Sequence, residues 1–345
     1  ASLVGYIFAE PMIKFMGASD LETLTGGTIY LKIQMVGFLG MALTSTITAT
    51  LRGIGNSKTA MIYNLIGNLV NVVFNYLLIY GHFGFPEMGI AGASLATVIG
   101  QGVAFVLALN VIIKKGGYLH LSLKAGFRPQ SKYLKSIFNI GIPAMIEQLV
   151  MRAGIIIYSK TVASLGTVAF ATHQICMNIM SMSFMSGQAF AVSATSLMGQ
   201  SLGKKRPDMA QAYSSRTMNL GMIISVLLGI VFFFFGKPIM SLYSDDILVI
   251  TQGARILKLV ALIQPFQSSQ FILAGALRGA GDTRATAIVT FITILLLRPG
   301  LAIFSIHVLN WELEGAWIAL AADQFVRSIL ISYRYKSGKW KSIEI

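Results

Sequence analysis

The sequence predicts an all-α, polytopic membrane protein built as a helical bundle of two related lobes. Apolar residues make up 55% of the 345-residue chain and charged residues only 12%, about half of the charged fraction of a typical soluble domain. Such a chain has too few charges to cover a surface that faces water, so most of its surface must face lipid. The other two observations behind the prediction are ten long apolar segments and an internal repeat.

The ten apolar segments are candidate membrane helices, since a helix needs about 20 mainly apolar residues to cross the hydrocarbon core. The first segment is too short to cross comfortably, and the longest polar stretch between segments, 115–133, leaves no room for a soluble domain. The segments lie at 1–16, 28–50, 60–80, 89–113, 134–162, 166–199, 212–235, 251–276, 285–309 and 314–333.

The loops between these segments alternate in charge. Lysine and arginine gather at 52–58, 114–132, 204–206, 278–284 and 334–341, whereas the loops between those positions carry aspartate and glutamate. The positive-inside rule places the basic loops in the cytoplasm, and the C-terminus with them. The net charge of +14 therefore needs no nucleic-acid partner, and the expected location is the cell membrane.

The sequence does not show the residue spacings that are typical of an enzyme active site. The sequence has one cysteine, and its four histidines are scattered, so neither a metal-ligand spacing nor a paired catalytic group can be read from it. We expect no enzyme activity, no metal and no cofactor.

An internal repeat divides the chain into two lobes. The motif Leu-Arg-Gly-x-Gly-x-[Ser/Thr]-[Lys/Arg] at 51–58 returns 226 positions later, at 277–284. Equivalent points are six segments apart, so the two copies have the same orientation, which is the parallel repeat of some secondary transporters. The predicted parts are an N-terminal lobe at 1–116, a cytoplasmic interlobe linker at 117–133 and a C-terminal lobe at 134–345. The first lobe lacks counterparts for two helices, so we expect ten of twelve.

The sequence resembles the multidrug and toxic compound extrusion family, whose superfamily also holds lipid-linked oligosaccharide flippases. The twin motif carries the resemblance, together with Gly-Ile-Pro at 141–143 before Glu147 and Gln148, and Met-Gly-Gln-Ser-Leu-Gly-Lys at 198–204. The resemblance covers essentially the whole chain. It implies two lobes in a V shape and a monomer that exports small organic, cationic compounds by alternating access, driven by inward sodium or proton flow. A flippase is the alternative, and its cavity should be strongly basic.

Glu147 is the main candidate for ion coupling. It lies mid-span one turn after Pro143, a residue type that kinks helices, and a charge at mid-bilayer costs about 2.5–3.5 kcal/mol on insertion scales. Arg152 points about 140° away around the helix, so it is not the partner. The resemblance favours a functional acid, because many members carry one here. The alternative is an ion pair with another helix.

Two rows of side-chain amides are the next candidates. Asn64, Asn68, Asn71 and Asn75 lie within an arc of about 60°, which favours either a cation and substrate cavity or hydrogen bonds between helices. Family members with an ion site here often have Asn-x-x-x-Asp, so Asn75 replaces their acid.

Gln264, Gln267 and Gln270 form the second row, and Gln148 lies beside Glu147. Gln267 stands where some members have an aspartate, so we expect Glu147 to act with neutral neighbours.

Pro143 is expected to act as a hinge, and the residues of the twin motif as hinges or caps. Arg52 and Arg278 would interact with helix C-termini, and the motif glycines would permit tight turns at positive φ; these are Gly53, Gly55, Gly279 and Gly281.

Asp323 and Arg327 are spaced as a structural ion pair within one helix. Arg298, next to Pro299, is expected to bond backbone carbonyls at a kink.

Overall fold

The structure is a computed structural model that describes residues 2–16, 20–114 and 130–343. These residues form α-helices with short 3-10 and π segments, and they contain no strand. The α-helices are α1 (Ser2–Ile7), α2 (Ala9–Phe15), α3 (Leu21–Gly53), α4 (Ser57–Tyr80), α5 (Gly89–Ile113), α6 (Ser131–Ala163), α7 (Thr167–Gly203), α8 (Pro207–Ser241), α9 (Ile247–Gly279), α10 (Thr283–Thr290), α11 (Arg298–His307) and α12 (Glu312–Lys336).

Within the described residues, eight helical segments are long and apolar enough to cross a membrane. They are α3 to α9 and the continuous stretch Thr283–His307, which contains α10, a π-helical segment and α11. The first predicted segment forms only the two short helices α1 and α2, and α12 is long but more polar than the others. The prediction of an all-α, polytopic membrane protein is confirmed.

The chain forms two compact units, unit 1 (Ala1–Arg128) and unit 2 (Pro129–Ile345). In unit 1, α5 packs against α3 and α4; in unit 2, α9 lies at the centre, against α7, α8 and α12. Of the predicted linker at 117–133, only residues 130–133 belong to the described part of the chain, so the predicted lobe boundaries stay a prediction.

The repeat is visible in the first turns of α3 and α9. Asp20 caps α3 by accepting a hydrogen bond from the Thr23 amide at 2.7 Å, and Asp246 caps α9 by accepting one from the Leu248 amide at 2.8 Å. A carboxylate at this position is stabilised by the free amides of the first turn. In the exposed Asp20, the Thr23 amide holds the pKa of the carboxyl below its usual range.

The two Leu-Arg-Gly turns have the same backbone path. In each, the amide of the residue after the second motif glycine, Asn56 or Asp282, donates to the carbonyl of the motif leucine, at 2.8 Å in the first copy and 2.9 Å in the second. The expected positive φ is confirmed at Gly55 (91°) and Gly281 (80°). The expected positive φ at Gly53 and Gly279 is wrong, because both end their helices in helical geometry.

Gly279 is required for helix packing instead. A Cβ there would clash with the carbonyl oxygen of Thr195, and one at Gly275 would clash with that of Ala191, so both glycines let α9 approach the backbone of α7. Small residues at such spacing are typical of close helix contacts in membranes. At Gly53, a Cβ would meet nothing within 4 Å, so the two copies of the motif differ in packing.

Helix irregularities occur near two prolines of unit 2. The α8 helix has non-helical φ and ψ at Phe235, three residues before Pro238, and a π-helical segment, Phe291–Leu297, comes just before Pro299. By contrast, α6 continues through Pro143 as one helix of 33 residues. The hinge role of Pro143 stays a prediction.

Candidate functional site: an ion-pair cavity in unit 2

A cavity of about 300 Å³ lies inside unit 2 between α6, α7, α9, α10 and α12. Its volume is at the lower end of the range for small-molecule sites. The polar residues that line it are Glu147, Gln148, Gln188, Thr195, Gln270, Arg278, Thr290 and Arg327.

Glu147 lies in the wall of this cavity and is only 3% exposed. Its Oε1 accepts a hydrogen bond from Nη1 of Arg278 at 3.1 Å, and its Oε2 accepts one from the Thr286 hydroxyl at 3.0 Å. The Thr290 hydroxyl donates a longer bond, at 3.4 Å, to Oε1. The expectation that Glu147 acts with neutral neighbours is therefore wrong. The acid forms an ion pair with another helix, which was the alternative interpretation.

Arg278 also lies differently from the prediction. It belongs to the last turn of α9, as expected of a cap, but its guanidinium extends into the cavity and is bound to Glu147. Sequence reasoning could not find this pair, because 131 positions separate the two residues and a single sequence contains no signal that links them.

The depth of Glu147 follows from its distance along α6. Asn139 and Ile140 of α6 lie beside the turn residues Gly281 and Asp282, where they line one pocket together. Glu147 is seven residues further along α6, which is about 10 Å at the helical rise. Glu147 is thus the middle residue of α6 (Ser131–Ala163), as the sequence position predicted.

A second ion-pair group lies behind the cavity. Asp323 is fully buried, and its carboxylate accepts from Nη2 of Arg327 at 2.5 and 2.6 Å, from Nε of Arg298 at 2.9 Å, and from Nη2 of Arg298. The predicted Asp323–Arg327 contact is confirmed. Arg298 binds this carboxylate, so the expectation that it bonds backbone carbonyls is wrong.

The π-helical segment positions both groups. It begins directly after Thr290 and ends directly before Arg298. It contains Thr293, whose hydroxyl accepts a hydrogen bond from Nε of Arg327 at 3.0 Å. Pro299 lacks the amide that an α-helix would need at that point, and π segments are frequent at functional sites. A Cβ at Gly154 would clash with Ile294, so α6 packs tightly on this segment.

The asparagine row of unit 1 lines a separate pocket of about 250 Å³ with no charged residue in its wall. Asn64, Asn68 and Asn71 line it, and Asn71 donates to the Thr97 hydroxyl of α5 at 3.3 Å. Asn75 donates to Asn71 at 3.2 Å, while its own Oδ1 is buried and accepts no hydrogen bond from the described residues. The row therefore both lines a cavity and bonds to another helix.

The glutamine row lies mostly outside the unit 2 cavity. Gln264 accepts a bond of 2.5 Å from the Ser183 hydroxyl, and the buried amide of Gln267 has no partner among the described residues. Neither lines the cavity, whereas Gln148 and Gln270 do. The coupling and substrate roles predicted for Gln264 and Gln267 thus lack a direct contact with Glu147.

The MatE family profile matches residues 1–77 and 143–304, which is more than half of the chain. The chain belongs to the MatE family. A probable multidrug resistance protein NorM of Thermotoga maritima is 32% identical over 313 residues, 90% of this chain and 67% of that protein. An uncharacterized transporter, YisQ of Bacillus subtilis, is 29% identical over 98% of this chain and 74% of its own.

Solved structures agree with this MatE fold. A crystal structure of MATE in the bent conformation matches with a TM-score of 0.88 at 18% identity, over 97% of this chain and 74% of that chain. A transporter of the MOP superfamily from Pyrococcus furiosus matches with a TM-score of 0.90 at 20% identity, again over 97% and 74%. Family membership confirms the resemblance. The protein is a multi-pass membrane protein that transports a small substrate, and it is not an enzyme.

Proposed function

We propose that this MatE protein is a cation-coupled secondary-active antiporter that exports organic, drug-like compounds by alternating access. Relatives named as multidrug resistance proteins support the export of such compounds. The observation that carries the coupling is the Glu147–Arg278 ion pair, since Glu147 is the one carboxylate among the described residues that line the unit 2 cavity. A buried acid within a membrane helix is typical of a site for ion exchange.

Coupling would follow from competition for the Glu147 carboxylate. A cation that binds it removes the charge that holds Arg278, so the contact between α6 and the end of α9 weakens. The Thr286 and Thr290 hydroxyls join the same carboxylate to α10, so the change reaches the turn between α9 and α10. This gives unit 2 two arrangements whose equilibrium the cation controls.

A proton fits this site better than sodium. A proton needs no space beyond the carboxylate itself, whereas sodium needs several oxygen ligands and would bring a second positive charge beside Arg278, which lies 3.1 Å from Oε1. We therefore favour proton coupling. Organic cations remain the proposed substrates, and the uncharged, amide-lined pocket of unit 1 provides oxygen atoms that suit a cationic group. A flippase would need a cavity without an acid among its bases, and this favours the antiporter.

Glu147→Gln tests the proposal in proteoliposomes loaded with the fluorescent cation ethidium. With the wild-type protein, an imposed proton gradient should drive ethidium transport, and a sodium gradient alone should not. Glu147→Gln keeps the shape of the side chain but removes its negative charge, so gradient-driven transport should fall at least about tenfold, the size of effect expected when one essential titrating group is lost.

Glu314→Gln is the matched control, since it removes an acid that forms an exposed ion pair with Arg255 at 3.2 Å. That variant should transport at the wild-type rate, and size-exclusion profiles should show that both variants are folded. Ion-driven transport that persists unchanged in Glu147→Gln would contradict the coupling role.

We also propose that the C-terminus is cytoplasmic, as the positive-inside rule indicates. The native cysteine, Cys176, is buried, so an added cysteine can be labelled selectively. In intact cells, an impermeant maleimide should label Asp245→Cys and not Ser342→Cys; after permeabilisation it should label both. The reverse pattern would contradict this orientation.

A further inference from the structure

A second pocket of unit 2, of about 470 Å³, lies where α6, the first turn of α10 and the last turns of α12 meet. We call it the α10 pocket. Asn139, Arg284 and Arg334 line it with polar groups, and Ile140 and Ile288 line it with apolar ones. It shares no lining residue with the cavity that contains Glu147. Its volume is within the range of small-molecule sites.

The α10 pocket lies on the outer face of α10. The Thr286 and Thr290 hydroxyls point towards the interior of unit 2, where they bond to Glu147. A residue two positions from a threonine lies about 200° away around the helix, so Arg284 and Ile288 share the opposite face. Arg284 is exposed, and Ile288 is 60% exposed. The pocket is therefore accessible from outside unit 2.

The polar end of the pocket has more positive than negative charge. The Asp282 carboxylate accepts a hydrogen bond from Nε of Arg334 at 2.7 Å, and both Nη groups of Arg334 lack a hydrogen bond to the described residues. Arg284 forms no ion pair with any described residue. Lys135 lies one turn before Asn139 on the same face of α6. Two guanidinium groups with unused donors match the geometry of a phosphate.

An exposed apolar strip continues from the pocket along the same helical stretch. Ile288, Ile292 and Leu296 form this strip at intervals of four residues, and they are 60%, 44% and 56% exposed. The strip belongs to Thr283–His307, which is long and apolar enough to cross a membrane. Arg284 is the second residue of that stretch, so the charged end of the pocket lies at the membrane boundary and the strip extends into the hydrocarbon.

We propose that the α10 pocket binds the phosphate of an anionic phospholipid between Arg284 and Arg334, with an acyl chain along the apolar strip. Charge above an exposed apolar strip fits a phospholipid better than a soluble anion. Asp282, the one acid among the described lining residues, is 5% exposed and bound to Arg334. It is not free to bind the amine of a zwitterionic lipid, so a lipid with net negative charge is favoured. Basic pockets between membrane helices are typical sites for such head groups.

Titration of the purified full chain with two phospholipids tests the proposal. Phosphatidylglycerol and phosphatidylcholine with the same acyl chains are added to delipidated protein in a non-ionic detergent. Native mass spectrometry then gives the dissociation constant of the first bound lipid. Phosphatidylglycerol should bind at least about tenfold more tightly, the value of one charge-assisted hydrogen bond.

Arg284→Gln should weaken phosphatidylglycerol binding about tenfold. It should leave phosphatidylcholine binding nearly unchanged, because the arginine that attracts the phosphate of that lipid also repels its choline. The variant should fold, since the Arg284 side chain is exposed and has no ion pair with the described residues. Ile288→Ser interrupts the apolar strip and should weaken both lipids about fourfold, the value of one buried methylene group.

Lys58→Gln is the matched control. Lys58 is the exposed basic residue at the position of the first motif copy that is equivalent to Arg284. Its substitution removes the same charge from unit 1 and should leave the affinity for both lipids at the wild-type value. Loss of the phosphatidylglycerol preference in this control would assign the preference to general attraction between charges and would overturn the proposal.

Equal affinity for the two lipids, or a preference that Arg284→Gln leaves intact, would also contradict the α10 site. Glycerol 3-phosphate carries the phosphate without acyl chains and should not displace phosphatidylglycerol at equal concentration. Displacement would identify a site for a soluble phosphate, and the lipid proposal would be wrong. No transport is measured, so these results do not depend on the proposed antiport.

Discussion

Asp323→Asn is expected to destabilise unit 2 strongly. The substitution leaves the guanidinium groups of Arg298 and Arg327 buried, 5% and 4% exposed, with no carboxylate to share. Breaking a buried ion pair by removing one partner typically costs about 3–5 kcal/mol. For a protein of this size we expect the melting temperature in detergent to fall by about 10 °C, as measured by differential scanning fluorimetry.

Glu314→Gln is again the matched control for this substitution. Its ion pair with Arg255 has exposed partners on both sides, and exposed pairs contribute about 0–1 kcal/mol. The control should therefore melt close to the wild-type temperature. Similar melting temperatures for Asp323→Asn and the wild type would show that the group of two arginines and one acid is not a structural unit.

Alanine at the two motif glycines is expected to have effects of opposite sign. At Gly279, the new Cβ would clash with the backbone of α7 at Thr195, and forced overpacking costs about 1–3 kcal/mol. At Gly53, the Cβ would enter open space, and alanine in place of glycine in a helix stabilises by about 0.5–1 kcal/mol.

Melting temperatures of the two single variants, measured in the same detergent, check this prediction. Gly53→Ala should melt at or above the wild-type temperature, and Gly279→Ala should melt several degrees below it. Since the two positions are equivalent in the sequence repeat, equal effects would mean that the α7–α9 contact is not what requires Gly279.

The fold class could be predicted from the sequence because composition and the lengths of the apolar segments are summed over many residues. The low charge and the long apolar segments predicted a membrane protein. The twin Leu-Arg-Gly motifs indicated the internal repeat and the family. The pair Asp323–Arg327 was also predictable, because its spacing within one helix brings the side chains together.

The candidate site was predicted only in part. Glu147 was found because an acid is rare in an apolar helix, but its partner Arg278 was predicted to cap a helix C-terminus. The threonines that bind Glu147 gave no signal, since threonine is ordinary in such helices. Residues far apart in the chain come into contact only through helix packing, and a single sequence contains no information about those contacts.

The π-helical segment Phe291–Leu297 sets the rotational phase of α11 relative to α10. A π segment accommodates one residue more than an α-helix of the same height, and each residue turns a helix by about 100°. Without it, Arg298 would point about 100° away from Asp323. A local change from π to α geometry would therefore rotate α11 about its own axis. This rotation would break the ion pair between Arg298 and Asp323, and the Asp323 carboxylate would then bind Arg327 alone.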